Sequence, residues 1–201
     1  MDLNKVIQRA RSLLVSPRTE WPVIAAEPAT IADLYREYIM IVAAIPAVCG
    51  FVKVSLLGYA WHGFRVVYRR SIGAGLAAAI AEYLVSLLAV YLLALIIEAL
   101  APNFGGQPNR VQALKVVGYS YTASWIAGAA QILPGLYALF ALAGAIYSVF
   151  LLYLGLPGTM KVVPEQAGGY TAVIVIIALV VGWVMAMITV GITGVPLADT
   201  W

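Results

Sequence analysis

Two side chains stand where hydrocarbon should forbid them. Lys53 interrupts an apolar run from Tyr38 to Trp61, and Glu82 interrupts another from Gly73 to Leu100. An ionised group inside a membrane span is costly, so such groups pair with one another or mark a functional path. If the two runs are antiparallel helices joined by the loop His62 to Arg70, Lys53 lies nine residues before His62 and Glu82 eleven after Ser71. At ~1.5 Å per residue their depths then differ by only about 3 Å. An ion pair across this hairpin is expected, either as a lock or as part of a polar path. The alternatives are a lysine that snorkels to the headgroups and a glutamate that stays protonated. Glu98 and Lys115 flank the next loop and are expected to pair likewise.

A second polar set is uncharged. Tyr119, Ser120, Tyr121, Thr122, Trp125 and Gln131 cluster in one apolar stretch, and Tyr137, Tyr147, Ser148 and Tyr153 in the next. Hydroxyls in hydrocarbon seek partners on neighbouring helices. Tyr119, Ser120, Tyr121, Tyr147 and Tyr153 therefore either knit helices together or line a cavity for a lipid headgroup or small polar ligand. Catalytic chemistry is not found. Gly118-Tyr119-Ser120-Tyr121-Thr122 lacks the last glycine of a nucleophile elbow, and no strand precedes it. One cysteine, Cys49, and one histidine, His62, cannot make a metal site, and no phosphate-binding glycine loop is present. No enzyme, metal or cofactor is expected.

The composition says what must hold these residues. Hydrophobic types make up 63% of the 201 residues and charged types 10%, against roughly 45–50% and 25% in soluble domains. Twelve Lys and Arg face nine Asp and Glu, for a net charge of +3. Ten of these charges fall in the first 37 residues. A soluble enzyme, a disordered chain and a nucleic-acid binder are excluded; the basic excess reads as juxtamembrane. The first long apolar run starts only near Tyr38, after mixed charges, so a cleaved leader is not expected.

About 20 apolar residues cross ~30 Å of hydrocarbon. Five spans are predicted, at about 38–61, 73–100, 113–133, 136–156 and 170–193. The third and fourth divide a run of 45 uncharged residues, Val116 to Met160, at Leu133-Pro134-Gly135. Gly168-Gly169 and Gly194-Val195-Pro196 bound the fifth. The runs are continuously apolar and rich in Ala, Leu, Ile and Gly, as helical bundles are, and do not alternate as membrane strands do. Gly73, Gly75, Ala77 and Ala79 make a small-residue stripe on the second span, suited to a helix contact. The expected fold is all-α, a polytopic bundle (38–201) behind an N-terminal arm (1–37).

Five spans place Lys5, Arg9, Arg11, Arg18, Arg36, Arg110, Lys115 and Lys161 on one side and Arg65, Arg69 and Arg70 on the other. The excess puts the N-terminus in the cytoplasm and the C-terminus on the opposite side of the cell membrane. In the arm, Leu3, Val6, Ile7, Ala10, Leu13 and Leu14 share one arc of a helix and Lys5, Gln8, Arg9 and Ser12 the other, with Asp2 as a cap and Pro17 as a stop. Such a basic amphipathic helix lies in the interface or packs on the bundle. A second short element runs from Trp21 to Glu27. Thr30, with Asp33 three residues on, reads as a helix cap leading straight into the first span.

One group of motifs is familiar. Gly118-Tyr119-Ser120-Tyr121-Thr122 with Trp125 and Pro134, then Tyr147, then Leu151-Leu152-Tyr153-Leu154-Gly155-Leu156-Pro157 with Met160-Lys161, then Tyr170, resembles the Yip1 domain family, above all its short prokaryotic members. Ser16-Pro17, Glu20-Trp21, Ile24 and Glu27-Pro28 resemble the same family's N-terminal region. Gly155, Pro157 and Lys161 carry its most recognisable spacing here. The resemblance implies a five-helix membrane domain with a cytoplasmic N-terminus. Eukaryotic members are linked to vesicle trafficking and to small Rab-type GTPases through an Asp-Leu-Tyr-Gly-Pro motif. Here Asp33-Leu34-Tyr35 is followed by Arg36 and Glu37. For the prokaryotic branch the resemblance implies a fold and no reaction. The expected function is a non-enzymatic, membrane-organising or interaction protein whose partners are membrane lipids, a second copy or another membrane protein. The alternative is a small permease or channel using Lys53, Glu82 and the tyrosines.

Overall fold

The computed structural model describes residues 3–60, 67–133 and 135–193, without the side chains of 59, 60, 67, 68 and 193. Asp2, His62, Arg65, Pro134 and the Gly194-Val195-Pro196 boundary lie outside the described residues.

Two short helices form the arm, α1 (Leu3–Val15) and α2 (Pro17–Ala26). Pro17 sits in the first turn of α2, where its missing N–H costs nothing. The next helix runs unbroken from Ile31 to Leu57. It opens as read from the sequence. The Asp33 amide donates to Thr30 Oγ1 (3.2 Å) and the Thr30 amide donates back to Asp33 Oδ2 (3.0 Å). Within it lie α3 (Ile31–Leu34), a π-helical turn (Tyr35–Ile39), α4 (Met40–Phe51) and a second π turn (Val52–Leu57). Gly58, at φ 78°, closes that second turn by donating to the Lys53 carbonyl (2.7 Å), a conformation suited to glycine. A two-residue antiparallel pair follows, β1 (Tyr59–Ala60) with β2 (Val67–Tyr68).

The chain returns along α5 (Ile72–Leu100), capped by Ser71 and extended by a 3-10 turn to Phe104. Asn109 caps α6 (Arg110–Ser120), its Oδ1 accepting from the Gln112 amide (3.0 Å). Then come α7 (Thr122–Ala127), a 3-10 turn (Gly128–Ile132), α8 (Tyr137–Met160) and α9 (Pro164–Thr193).

Among the described residues four helices, not the expected five, are long and apolar enough to cross a bilayer: Ile31–Leu57, Ile72–Phe104, Tyr137–Met160 and Pro164–Ile192. The predicted third spanning helix, 113–133, is broken at Tyr121 and again at Gly128. Its composition accounts for this. Gly118 and Gly128 weaken the helix, and Ser and Thr offer the backbone other partners. The Ser124 amide, in the first turn of α7, donates to Ser148 Oγ on α8 (3.1 Å). The first helix also begins at Ile31 instead of Tyr38 and ends at Leu57 instead of Trp61.

The core gathers at the arm end of the bundle. Leu13, Trp21, Ile24, Ile39, Val90, Ile97, Leu114, Val116, Leu151, Leu156, Met160 and Tyr170 are all buried there. Every residue from Ala113 to Ser120 is buried. Toward the far end of the helices, Leu76, Ile80, Leu139, Ile146, Leu179 and Trp183 are exposed, the surface that apolar helices offer to lipid chains. Glycine sets the closest approach in the core. A Cβ on Gly155 of α8 would stand 2.7 Å from Val116 Cγ2 and 2.8 Å from the Trp21 ring. Of the small-residue stripe, Gly75 is buried, against Ser55 and Phe51 of the first helix, while Gly73 and Ala77 stay exposed.

Candidate functional site: the docked arm and the polar pockets of the bundle

The arm is fastened to the bundle by polar groups, and Lys115 is the chief of them. It was expected to pair with Glu98. Instead its side chain turns to α2 and donates to the carbonyls of Ile24 (2.8 Å) and Glu27, with only 2% of the residue exposed. Gln112 Nε2, one turn earlier, donates to the Ala25 carbonyl (2.9 Å). Together they satisfy the carbonyls that end α2, where a cation also meets the negative end of the helix dipole. Glu98 is taken by Arg110 (2.8 Å). Arg110 and Lys115 are five residues apart on one helix, which puts them about 140° apart around its axis. The first therefore reaches α5 while the second reaches the arm.

Arg9 of α1 forms ion pairs with Glu20 of α2 and with Glu27, which caps the C-terminal end of α2. Its guanidinium also stands 5.9 Å from the centre of the Tyr119 ring on α6. Burial works against the Arg9 charge, but the hydrogen bond and field of Glu27, with Glu20 beside it, hold its pKa above the ordinary arginine value. Lys5, Glu37 and Tyr38 join these residues around a polar cavity of about 590 Å³ under α1. On the other flank Tyr147 Oη of α8 donates to the Leu14 carbonyl (2.8 Å). Val6, Ala10 and Leu13 are buried against the bundle, whereas Leu3 and Ile7, on the same apolar arc, are each 56% exposed.

No ion pair joins Lys53 to Glu82 among the described residues. The Lys53 ammonium lies 5.5 Å from the centre of the Tyr137 ring. The Glu82 carboxylate faces Gly50, beside Gln131, whose Nε2 donates to the Pro46 carbonyl (3.2 Å). The first helix ends at Leu57, short of Trp61, so Lys53 lies closer to the hairpin end than Glu82, whose carboxylate sits beside Gly50, ~4.5 Å along the helix from Lys53.

The tyrosines do not share one cavity. Tyr119 faces the polar cavity under α1 and Tyr147 holds α1, while Tyr153 is 43% exposed on the outer face of α8. Ser120 and Tyr121 line a separate cavity of about 250 Å³ enclosed by α5, α6, α7, α8 and α9, together with Ser124 and Ser148. Ser124 Oγ and Ser148 Oγ are hydrogen-bonded (2.8 Å). Tyr38 Oη meets Thr122 Oγ1 (2.8 Å) in the buried centre. Within the motif, Lys161 ends α8 in a left-handed conformation (φ 57°), Pro157 lies in the last turn, and Gly155 makes the close contact already described. Tyr170 donates to the Ile97 carbonyl and stacks on Phe104 (4.5 Å). The docking roles of Arg9, Glu20 and Gln112 had no signal beyond polarity, because their partners are mostly backbone carbonyls or distant charges.

The chain is 29% identical over 185 residues to the inner membrane protein YohC of Escherichia coli K12, covering 90% of this chain and 94% of YohC. YohC of Escherichia coli O6:H1 gives the same figures. No solved structure matches. The model of the Yip1 domain matches residues 11–186, from within α1 to within α9, and the chain belongs to the Yip1 domain family.

Proposed function

We propose that this protein organises the membrane around it, acting as a one-leaflet wedge and not as a transporter or an enzyme. The carrying observation is the position of the arm. Tyr147, which holds Leu14, lies 13 residues from the Met160 end of α8, ~20 Å along its axis. The turn between α1 and α2 therefore rides up the side of α8 instead of sitting beyond its end. Along the arm Leu3, Ile7 and Val15 are exposed beside Lys5, Arg11 and Arg18, the pattern of an element seated among acyl chains and anionic headgroups. Inserted on one side only, such an element enlarges one leaflet against the other.

The same reading has five crossings. α6, α7 and the following 3-10 turn lead from Arg110, at the arm end, to Gln131 beside Pro46, in the far part of the first helix. A broken helix is tolerated at membrane depth when protein surrounds it, as it surrounds Ala113 to Ser120. The N-terminus is then cytoplasmic and the C-terminus opposite, in an inner membrane as for YohC. Membrane lipids are the first partners, and a second copy or another membrane protein meets the exposed faces. A transport path is disfavoured by dry packing: Tyr38, Thr122, Val42 and Ala43 are buried in the centre of the bundle, closing off the polar cavity under α1.

The test is sorting. Fluorescently labelled protein in giant vesicles with anionic lipid is drawn into a narrow membrane tether. Wild type is expected to enrich in the tether severalfold over flat membrane, and Leu3→Glu with Ile7→Glu to lose the enrichment with unchanged reconstitution. Equal density of wild type in tether and flat membrane sinks the proposal, as does ion flux in liposomes that vanishes in Glu82→Gln. Single-cysteine labelling that finds both chain ends on one side removes the fifth crossing.

A further inference from the structure

The 250 Å³ cavity between α8 and α9 has a composition that selects a ligand. Its walls are apolar, with Leu93 and Ile97 of α5 and Ile174 of α9 buried behind them. Its polar groups are hydroxyls without exception: Ser120, Tyr121, Ser124 and Ser148. Ser124 and Ser148 satisfy each other. Ser120 does not share in this. It is 3% exposed, and its Oγ is buried with no hydrogen-bond partner among the described residues. An orphaned buried hydroxyl is uncommon, because leaving it unpaired costs more than pairing it gains. The cavity opens sideways, where Val149 of α8 and Leu179 of α9 are exposed toward the lipid.

We infer that this cleft binds a neutral, membrane-borne amphiphile whose polar end is a hydroxyl or carbonyl oxygen, inserted between α8 and α9 so that the Ser120 hydroxyl, sealed from the cleft here, turns to meet it. The ligand is uncharged because no charged side chain lines the cleft and apolar walls penalise an ion. It carries one oxygen function because a serine and a tyrosine hydroxyl both donate and accept, and so take either a hydroxyl or a carbonyl. It enters from the bilayer because the mouth faces lipid. Its buried part has about ten heavy atoms, by proportion to the ~150 Å³ apolar cavity that takes benzene. A ring on a lipid tail and a free small phenol share this chemistry, and the experiment separates them.

The probe is an aryl-diazirine benzyl alcohol, photolysed with the protein in nanodiscs and mapped by peptide mass spectrometry. Labelling is expected on α6 and on the inner faces of α8 and α9. 2-Naphthol should protect these positions at concentrations five- to tenfold lower than naphthalene, the gain of one hydrogen bond in a dry site. Ser120→Ala should reduce that preference to within about twofold while leaving thermal stability equal or higher, since the hydroxyl has no partner to lose. Ala178→Phe, which fills the cleft from α9, should abolish the labelling. Protection by a long-chain naphthol equal to or better than by 2-naphthol assigns the lipid-borne source; loss of protection on adding the chain overturns the lateral entry. Equal protection by naphthol and naphthalene in wild type overturns the inference. So does a preference that survives in Ser120→Ala, or labelling confined to lipid-facing positions.

Discussion

Replacing Lys115 with Met tests how the arm is held. The substitution keeps the length and apolar stem of the side chain and removes only the ammonium. That ammonium donates to the carbonyls of Ile24 and Glu27. A hydrogen bond from a charged donor contributes ~1.5–3 kcal/mol, and an abandoned buried carbonyl costs a similar amount. Ile24 is fully buried, so its carbonyl has no access to replacement water; Glu27 is exposed, and water can take over there. The net loss is about 3 kcal/mol in the free energy that keeps α2 docked, or roughly a hundredfold in the open population. Trypsin reads that population. Arg11 and Arg18 are exposed but lie within helices, so cleavage requires the arm to open, and its rate follows the open fraction when reclosure is fast. In nanodiscs the arm of Lys115→Met should be cut about a hundred times faster than wild type. Glu98→Gln should change the rate by no more than about twofold, because its partner Arg110 is half-exposed. Unchanged cleavage in Lys115→Met refutes the reasoning. Equal acceleration in both variants refutes it differently, by showing that Glu98 and Lys115 are partners after all.

Other perturbations follow from the same contacts. Tyr147→Phe loses the bond to the Leu14 carbonyl, ~1 kcal/mol, and should speed arm cleavage about fivefold, whereas Tyr153→Phe, on the outer face, should not move it. Gly155→Ala forces a methyl against Val116 and the Trp21 ring and should cost ~1–3 kcal/mol, read as a lower unfolding temperature in nanodiscs. Lys53→Met and Glu82→Gln should act independently, with a coupling under about 0.5 kcal/mol in a double-mutant cycle. A double variant that rescues two damaging single ones would restore the ion pair to this hairpin.

Much of the architecture could be read from residue order, because bilayer thickness and helix periodicity act locally. The apolar runs located the four long helices, and Thr30 with Asp33 marked the start of the first. Of the two readings of the arm's apolar arc, packing on the bundle holds for Val6, Ala10 and Leu13, while Leu3 and Ile7 stay exposed. The ionic partners were not legible. Lys115 reaches backbone carbonyls, and a carbonyl carries no sequence signature. Lys53 lies near the end of a helix that stops at Leu57, and hydropathy does not register that end. Hydropathy likewise treats Val116 to Leu133 as one run, although Gly118, Ser120, Thr122, Ser124 and Gly128 already carry the means of breaking it.

The broken third segment and the one-ended core are two sides of one physical fact. α6 presents Gln112, Lys115, Tyr119 and Ser120 to its surroundings, a set that no lipid-facing helix could carry without a large penalty. It is tolerable only if protein takes the place of lipid around it. The arm supplies that cover on one side: α2 brings the carbonyls that accept from Gln112 and Lys115, and α1 brings Arg9 to the Tyr119 ring. α8 supplies another side, with Gly155 giving up its side chain so that Trp21 and Val116 can close over the same point. Removing the arm therefore does more than free a tail, because it takes away both carbonyls that hold the Lys115 ammonium and uncovers it. A truncation beginning at Thr30 should fold poorly unless Lys115 is changed to Met with it. Recovery of the truncated protein by that second change, measured as monodisperse yield from membranes, is expected; equal yield of the two truncations would show that the segment does not depend on the arm for its cover.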